Sequence, residues 1–417
     1  MTFAEWQQLA PDEAARELLR RAQALPEAQR RAAIVRLPSA AELEARFAAA
    51  PSDTPLAGVP YFLKDLFDVA GEPTLAGSTF LPEVRPAPAT NSALVTALRA
   101  AGVVLAGKTH LHEFAYGLTG ENPHYGDCEH PRFAGRTSGG SSSGSAAVVA
   151  AGVAPFAIGT DTAGSIRVPA AFCGLFGLRL TPHDPWIADA FPLAPSYDTA
   201  GWFTATAADL RTAAGALLNL QASAQTPRGV YLEPPGLESD VAAACRTAAM
   251  IFASPVDHAT HDAWLAVMAS AAENYNVLAS LEVWTVHAGW AERFRDRYDS
   301  VVWQRLIRAK HWTPQQIDAA HAGAAAVRRW WVEFFRVYDF LVLPATPMPA
   351  LTRAECTAEN RARLLELVTP VSLAGLPALT VPVQLPSGLT TGLQIVMPDT
   401  SSPVVSWALD ACASNGR

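Results

Sequence analysis

Two short loops rich in glycine and serine hold the residues whose types and spacing suit chemistry on a carbonyl group. The first runs from Ser138 to Ser145 (SGGSSSGS) and the second from Gly159 to Ser165 (GTDTAGS). Gly139, Gly140 and Gly164 allow backbone conformations closed to bulkier residues. In such turns successive backbone N–H groups can converge on an anion, which is how an oxyanion hole is built. Ser165, at the end of its turn, is placed to attack a carbonyl whose oxygen rests there. A serine hydroxyl needs a base, and no histidine lies close in sequence to the serines of either loop. The remaining candidate is Lys64, inside the apolar run 61–67, where burial would lower its pKa toward neutrality. The chain has only three lysines, Lys64, Lys108 and Lys310, and otherwise uses arginine, which stays charged.

Each of these residues also has an ordinary reading. Ser165 could be a turn serine satisfied by backbone, and Ser141 could be loop filler beside Ser142 and Ser143. Lys64 could pair with Asp65 or Asp68. Asp161 reads as a brace for its loop through hydrogen bonds to backbone. Arg167 reads equally as a clamp for a substrate carboxylate or as a second brace.

Other patterns lack their context. The run 102–109 fits G-x-x-x-x-G-K-[ST], but a helix precedes it and its middle is strand-like, so it does not read as a phosphate loop. The run 140–144 fits G-x-S-x-G without the apolar strand that a nucleophile elbow follows. His110, His112, Glu113, His124, Asp127, Cys128 and His130 are metal-capable, yet the spacing of His110 and His112 shares no helical face and no H-E-x-x-H occurs. The tryptophans at 284, 290, 303, 312, 330 and 331 read mainly as core.

The elements that must position the two loops alternate in texture. Residues 2–50 read as helices broken at Pro26 and Pro38. Strand-like runs follow at 58–62, 103–106 and 156–158, with helices at 91–101, capped by Asn91 and ended by Gly102, and at 143–151. The stretch 206–331 reads as helical, the piece 181–195 as a loop, and strands return at 338–343, 378–383 and 393–397. The pattern predicts an α/β layer structure with a mixed sheet, the strands of both ends joined and the helical middle packed on it.

The run 58–65, the loop 138–145 and the stretch 159–177 together resemble the amidase-signature family. The likeness is close across 58–182, looser in 193–210, visible again in 343–349 and 372–394, and absent from about 225–335. It implies the amidase-signature fold, a central mixed β-sheet covered by helices on both faces, as a single domain over 1–417. Within it lie N-terminal helices (1–50), a signature core (58–210), a helical region that selects substrate (225–335) and returning strands (338–400). Residue by residue, Ser165 falls on the family's nucleophile, Ser141 on the bridging serine and Lys64 on the general base. The resemblance implies that the peptide before Ser141 is cis and that Ser141 relays protons between Lys64 and Ser165. It also implies an oxyanion hole of the Thr162, Ala163, Gly164 and Ser165 amides, with Asp161, Arg167, Gly140 and Ser142 supporting or binding substrate. Ala163 stands where many members have glycine, and Ser372 where many have asparagine. The two loops are similar to members acting on allophanate or carboxybiuret, and the chain is short beside the tRNA amidotransferase subunits.

The expected activity is hydrolysis of a small amide without cofactor or metal, by a homodimer or with a partner subunit. Two other classes fit: a subunit that transfers ammonia with a second chain, and a silent binding protein on the same fold. The chain has 417 residues, half of them hydrophobic, and a net charge of −8, enough length for one large domain or two. The acidic balance argues against a nucleic-acid surface. No window of ~18 uncharged apolar residues suggests a membrane span. Five scattered cysteines without a C-x-x-C pair suit a reducing compartment, and the start lacks a signal-peptide pattern, so a cytoplasmic location is expected.

Overall fold

Short apolar runs, buried on both faces, pair into one sheet whose strands read as near-continuous hydrophobic stretches. In the computed structural model, which describes residues 1–220, 222–223 and 225–414, the strands are β1 (Ile34–Arg36), β2 (Pro60–Lys64), β3 (Val104–Thr109), β4 (Phe156–Thr160), β5 (Phe176–Arg179), β6 (Ala200–Thr204), β7 (Gly229–Tyr231), β8 (Ser254–Pro255), β9 (Phe340–Pro344), β10 (Ala378–Gln384) and β11 (Thr390–Val396). Their order is β1-β3-β2-β4-β6-β5-β10-β11-β9-β7-β8. The sheet is mixed: β2 runs parallel to β3 and β4, whereas β5, β6, β10 and β11 pair antiparallel.

Alternation along each strand divides the core. In β2, Tyr61 and Leu63 join Phe156, Ile158, Trp202, Leu379 and Ile395 under helices Ala93–Ala100, Ala207–Leu218, Ser239–Ala249 and Val404–Ser414. Phe62 points the other way, into a core shared with helices Pro11–Ala24, Ser143–Ala150 and Arg167–Cys173. Farther along that second face, Leu341, Leu343 and Val396 are covered by the helices between His258 and Ala374. The fold is therefore α/β, with helices on both faces of a mixed sheet, and strands from the two ends of the chain do share it.

Some elements differ from the sequence reading. Ser92, not Asn91, caps its helix by accepting from the Val95 amide, while the Asn91 carboxamide oxygen takes the Ala70 amide at 2.8 Å. The strand read at 103–106 continues to Thr109 because Lys108 is buried. The region read as mainly helical contributes β7 and β8 to one edge, and β1 follows a helix directly. These strands have two or three residues, too short to show a period of two. Trp331 is buried, and the tryptophans at 284, 290, 303, 312 and 330 pack partly buried on the same core. Among the described residues no helix is long and apolar enough to cross a membrane.

The acidic neighbours of Lys64 are occupied elsewhere. Asp65 forms a buried ion pair with Lys108 of β3 and accepts the Leu75 amide at 2.9 Å. Asp68 binds Arg85 through both carboxylate oxygens, each at 2.6 Å. Burial raises the pKa of Asp65, and Lys108 opposes that rise. Removing one partner of a buried pair leaves an uncompensated charge. Lys108→Met is therefore expected to lower stability by ~3–5 kcal/mol in urea unfolding, with most of it restored in Lys108→Met/Asp65→Leu. Unchanged stability of the single variant would contradict this.

Candidate active site

Strands β2 and β4 are parallel neighbours, with Leu63 opposite Ile158, so their C-terminal ends lie side by side. Lys64 ends β2 and Thr160 ends β4. The loop before helix Ser143–Ala150 brings Ser141 and Ser142 to the same point. Lys64 Nζ lies 2.8 Å from Ser141 Oγ, 3.0 Å from Ser142 Oγ and 2.7 Å from Thr160 Oγ1. A hydroxyl both donates and accepts, so this ring can serve an ammonium or, with one bond reversed, a neutral amine. Lys64 is fully buried, and burial lowers its pKa to about 7, against the opposing pull of Asp198 and Asp161.

Backbone contacts set the serine loop. The Gly140–Ser141 peptide is cis. The Gly140 amide donates to the Leu118 carbonyl at 2.8 Å, and the Ser141 carbonyl accepts from the His112 amide at 3.1 Å. A side chain at Gly140 would meet the Gly120 amide nitrogen at 2.7 Å, so only glycine fits this approach. Ser145 Oγ donates to the Ile158 carbonyl at 2.8 Å and tethers the following helix to β4.

The second loop turns around Asp161. Its carboxylate accepts the amides of Gly164 (2.7 Å), Ile166 (3.1 Å) and Arg167 (3.3 Å). It also binds the Arg167 guanidinium at 3.0 Å and that of Arg179 at 2.7 Å. Burial alone would raise this carboxyl, but the two arginines outweigh it and hold it far below the usual carboxylate range. The remaining Arg167 donors go to the Val368 carbonyl, Gln394 Oε1 and Ser372 Oγ, at 2.9, 3.0 and 2.8 Å. Arg167 is thus spent on bracing and has no donor left for a substrate carboxylate.

Ser165 follows this turn, nearly buried, and its hydroxyl has no hydrogen-bond partner among the described residues. It makes no hydrogen bond to Ser141. Of the four amides expected in an oxyanion hole, Gly164 is a correction: its N–H already belongs to Asp161. The amides of Thr162, Ala163 and Ser165 have no partner among the described residues. Gly164 itself has φ +105°, and a side chain there would press on Val368 at 3.0 Å.

A model of the Amidase family matches residues 13–249 and 246–402, nearly the whole chain. The chain belongs to the amidase family. It is 32% identical over 402 residues to a glutamyl-tRNA(Gln) amidotransferase subunit of Anaeromyxobacter dehalogenans (strain 2CP-C), covering 85% of this chain and 81% of that protein. A shorter stretch of 147 residues is 49% identical to AtzE, a 1-carboxybiuret hydrolase subunit of Pseudomonas sp. (strain ADP), covering 35% of this chain and only 32% of that relative. Among solved structures, one described as a vestigial protein complex that reveals the evolutionary origins of an s-triazine catabolic enzyme superposes with a TM-score of 0.86. It is 28% identical, covering 98% of this chain and 96% of that one.

Within this chain the departures from the family pattern have local surroundings of their own. Ser372 meets Arg167, and the Ala163 methyl is buried in the same core as Val168 and Val368. The metal-capable group at 110–130 is engaged otherwise. His124 Nε2 lies 2.9 Å from Glu113, His130 Nε2 lies 3.1 Å from the Phe172 carbonyl, and His110 stacks on Tyr125. Among the described residues no three such side chains converge on one point. Lys108 lies in β3 beside Asp65, so the run 102–109 forms a helix end and a strand and no phosphate loop.

Sequence reasoning did not single out Thr160, Asp198 or Arg179. Thr160 is part of the same motif and was open to view there. Asp198 accepts from Thr162 Oγ1 at 2.6 Å and from the Leu193 amide at 2.8 Å, fixing the loop from the far side. Nothing in the spacing of Asp198 or Arg179 announces this. Asp161→Asn removes the charge that two buried guanidiniums share. Urea unfolding should show a loss of ~3–5 kcal/mol, and a variant as stable as wild type would mean that the pair of arginines is compensated elsewhere.

Proposed function

We propose that this amidase is an amidohydrolase that cleaves the C–N bond of a small amide through an acyl-enzyme on Ser165. The carrying observation is the fully buried Lys64, with a pKa near 7 and its amine 2.8 Å from Ser141 Oγ. Ser165 attacks the carbonyl while Ser141 passes the proton to neutral Lys64. Closing the contact between the two serines belongs to the substrate-bound state, since such bonds often tighten only on binding. The tetrahedral oxyanion rests on the free amides of Thr162, Ala163 and Ser165, each donor contributing ~3–4 kcal/mol in comparable sites. The relay then protonates the departing nitrogen, and water releases the acyl group. Asp161, Arg167, Gly140 and Ser142 hold the loops in register.

In this reading the chain acts as one domain, with 225–335 selecting the substrate, and works on small urea-derived amides or related compounds in the cytoplasm without a cofactor. Similarity to a carboxybiuret hydrolase subunit supports that substrate range. A second reading, transfer of ammonia together with a partner chain, is favoured by the long alignment with an amidotransferase subunit. It differs in requiring that second chain for turnover.

Intact-protein mass after exposure to a serine-directed fluorophosphonate tests the nucleophile and base. Wild type should gain one adduct, Ser165→Ala none, and Lys64→Ala should react at least ~100-fold more slowly, the scale of a general base. An adduct that persists in Ser165→Ala would falsify the assignment. The labelling rate should rise as pH climbs through about 7, where Lys64 loses its proton, and level off above. Stability carries the same sign. The unfolded chain binds this proton up to the ordinary 10.5, so wild type should gain stability relative to Lys64→Met between about pH 7 and 10.

A further inference from the structure

Tyr61 stands on β2 three residues before Lys64, and alternation along the strand turns the two side chains to opposite faces of the sheet. Beside Tyr61, a cavity of about 360 Å³ opens between helices Ala40–Ala48 and Ala93–Ala100. It forms at a gap in the sheet edge. Strand β1 pairs with β3 only at Lys108 and Thr109, so the first residues of β3 have no strand outside them. Helix Ala40–Ala48 packs there instead, and Arg46 Nη1 donates to the Leu105 carbonyl at 2.8 Å. This helix and its C-cap line the cavity with Ala45 and Ala49, whose small side chains leave the space open. Val95 and Val103, of the same core as Tyr61, form the facing wall.

The polar groups around this space can all donate. Tyr61 is 1% exposed, yet its hydroxyl has no hydrogen-bond partner among the described residues. The charge of Arg46, on the same lining, bears on that hydroxyl. Asn91 spends its carboxamide oxygen on the Ala70 amide and keeps its NH2 group free among the described residues. Arg99, exposed on helix Ala93–Ala100, forms no ion pair among the described residues. No carboxylate among them lines the space. Glu72, outside the lining, holds Arg36 at 2.7 Å and reaches Arg46 only at 3.5 Å. A buried hydroxyl without a partner is costly, and an acceptor on a ligand removes that cost.

We propose that this cavity binds an amphipathic monoanion, an apolar body ended by one carboxylate, on the face of the sheet opposite Lys64. The alanines and valines take the apolar body. The carboxylate meets the Tyr61 hydroxyl and Arg46 through charge-assisted bonds, and Arg99 adds attraction at the rim. The volume lies at the small end of ligand pockets and suits a body of about ten carbons. The site does not depend on the chemistry at Ser165.

Titration calorimetry on the full chain compares octanoate and 2-naphthoate with their neutral counterparts, octan-1-ol and 2-naphthylmethanol. At least one acid should bind about tenfold or more tightly than its alcohol. Arg99→Glu should weaken that acid at least about tenfold, Ala49→Trp should abolish its binding by filling the space, and Tyr61→Phe should weaken it. Arg99 and Ala49 are exposed, so both variants should keep wild-type thermal unfolding. Should Ala49→Trp not fold, Arg99→Glu decides alone. Octanoate binding without 2-naphthoate assigns an acyl chain to the site, and the reverse assigns an aromatic acid. Binding of neither acid, alcohols bound as tightly as the acids, or an affinity unchanged in Arg99→Glu or in folded Ala49→Trp overturns the site.

Discussion

The carboxylate of Asp161 is the constraint on which the rest of the site depends. It ties β5 through Arg179 and its own loop through the Gly164, Ile166 and Arg167 amides. Through Arg167 it reaches Val368 and Ser372 of a helix some two hundred residues later, and Gln394 of β11. The two halves of the sheet therefore meet at one buried anion. Two arginines meet one carboxylate behind the turn that presents the Thr162, Ala163 and Ser165 amides, and the Asp198 carboxylate holds the Thr162 hydroxyl from the other side.

Lys64 answers a different demand. In the proposed relay it is the base, and a buried base must tolerate both protonation states without moving. The three hydroxyls around Nζ supply that tolerance, since each can reverse its hydrogen bond. Burial on β2, beneath the helix Ser143–Ala150, brings the amine near neutrality, while Asp161 and Asp198 pull the other way. The pKa near 7 is thus a balance between desolvation and two carboxylates that are each largely occupied by other donors.

The sequence made some of this readable and left the rest open for physical reasons. Lys64 stood out because lysine is scarce here and its flanks are apolar, and β2 buries it as those flanks suggested. Spacing alone did not separate Ser141 from Ser142, and both hydroxyls do lie on Lys64. Only the family resemblance distinguishes them. The fate of the Gly164 amide was not legible, because it depends on where Asp161 points, and Arg179 and Arg167 help to set that. Ser92 displaced Asn91 as a cap because Asn91 found the Ala70 amide, a contact across the loop that no local rule anticipates. The strands β7 and β8 exist only by pairing along the edge beside β9, so no local periodicity marks them.

Arg305 and Arg361, which form no ion pair among the described residues, were hidden for a related reason. In a chain that uses arginine almost everywhere, an arginine is conspicuous only when it lacks a counterion, and that is a property of the folded molecule. Their position also explains why the catalytic motifs carry no information about them. The motifs specify loops that close on themselves through Asp161 and Lys64, while Arg305 and Arg361 stand on the separate helices Ser300–Ile307 and Ala358–Ala374. Yet helix Ala358–Ala374 serves both ends, holding Arg167 through Val368 and Ser372 at one part and presenting Arg361 two turns earlier. A change in that helix shifts the support of the turn that precedes Ser165.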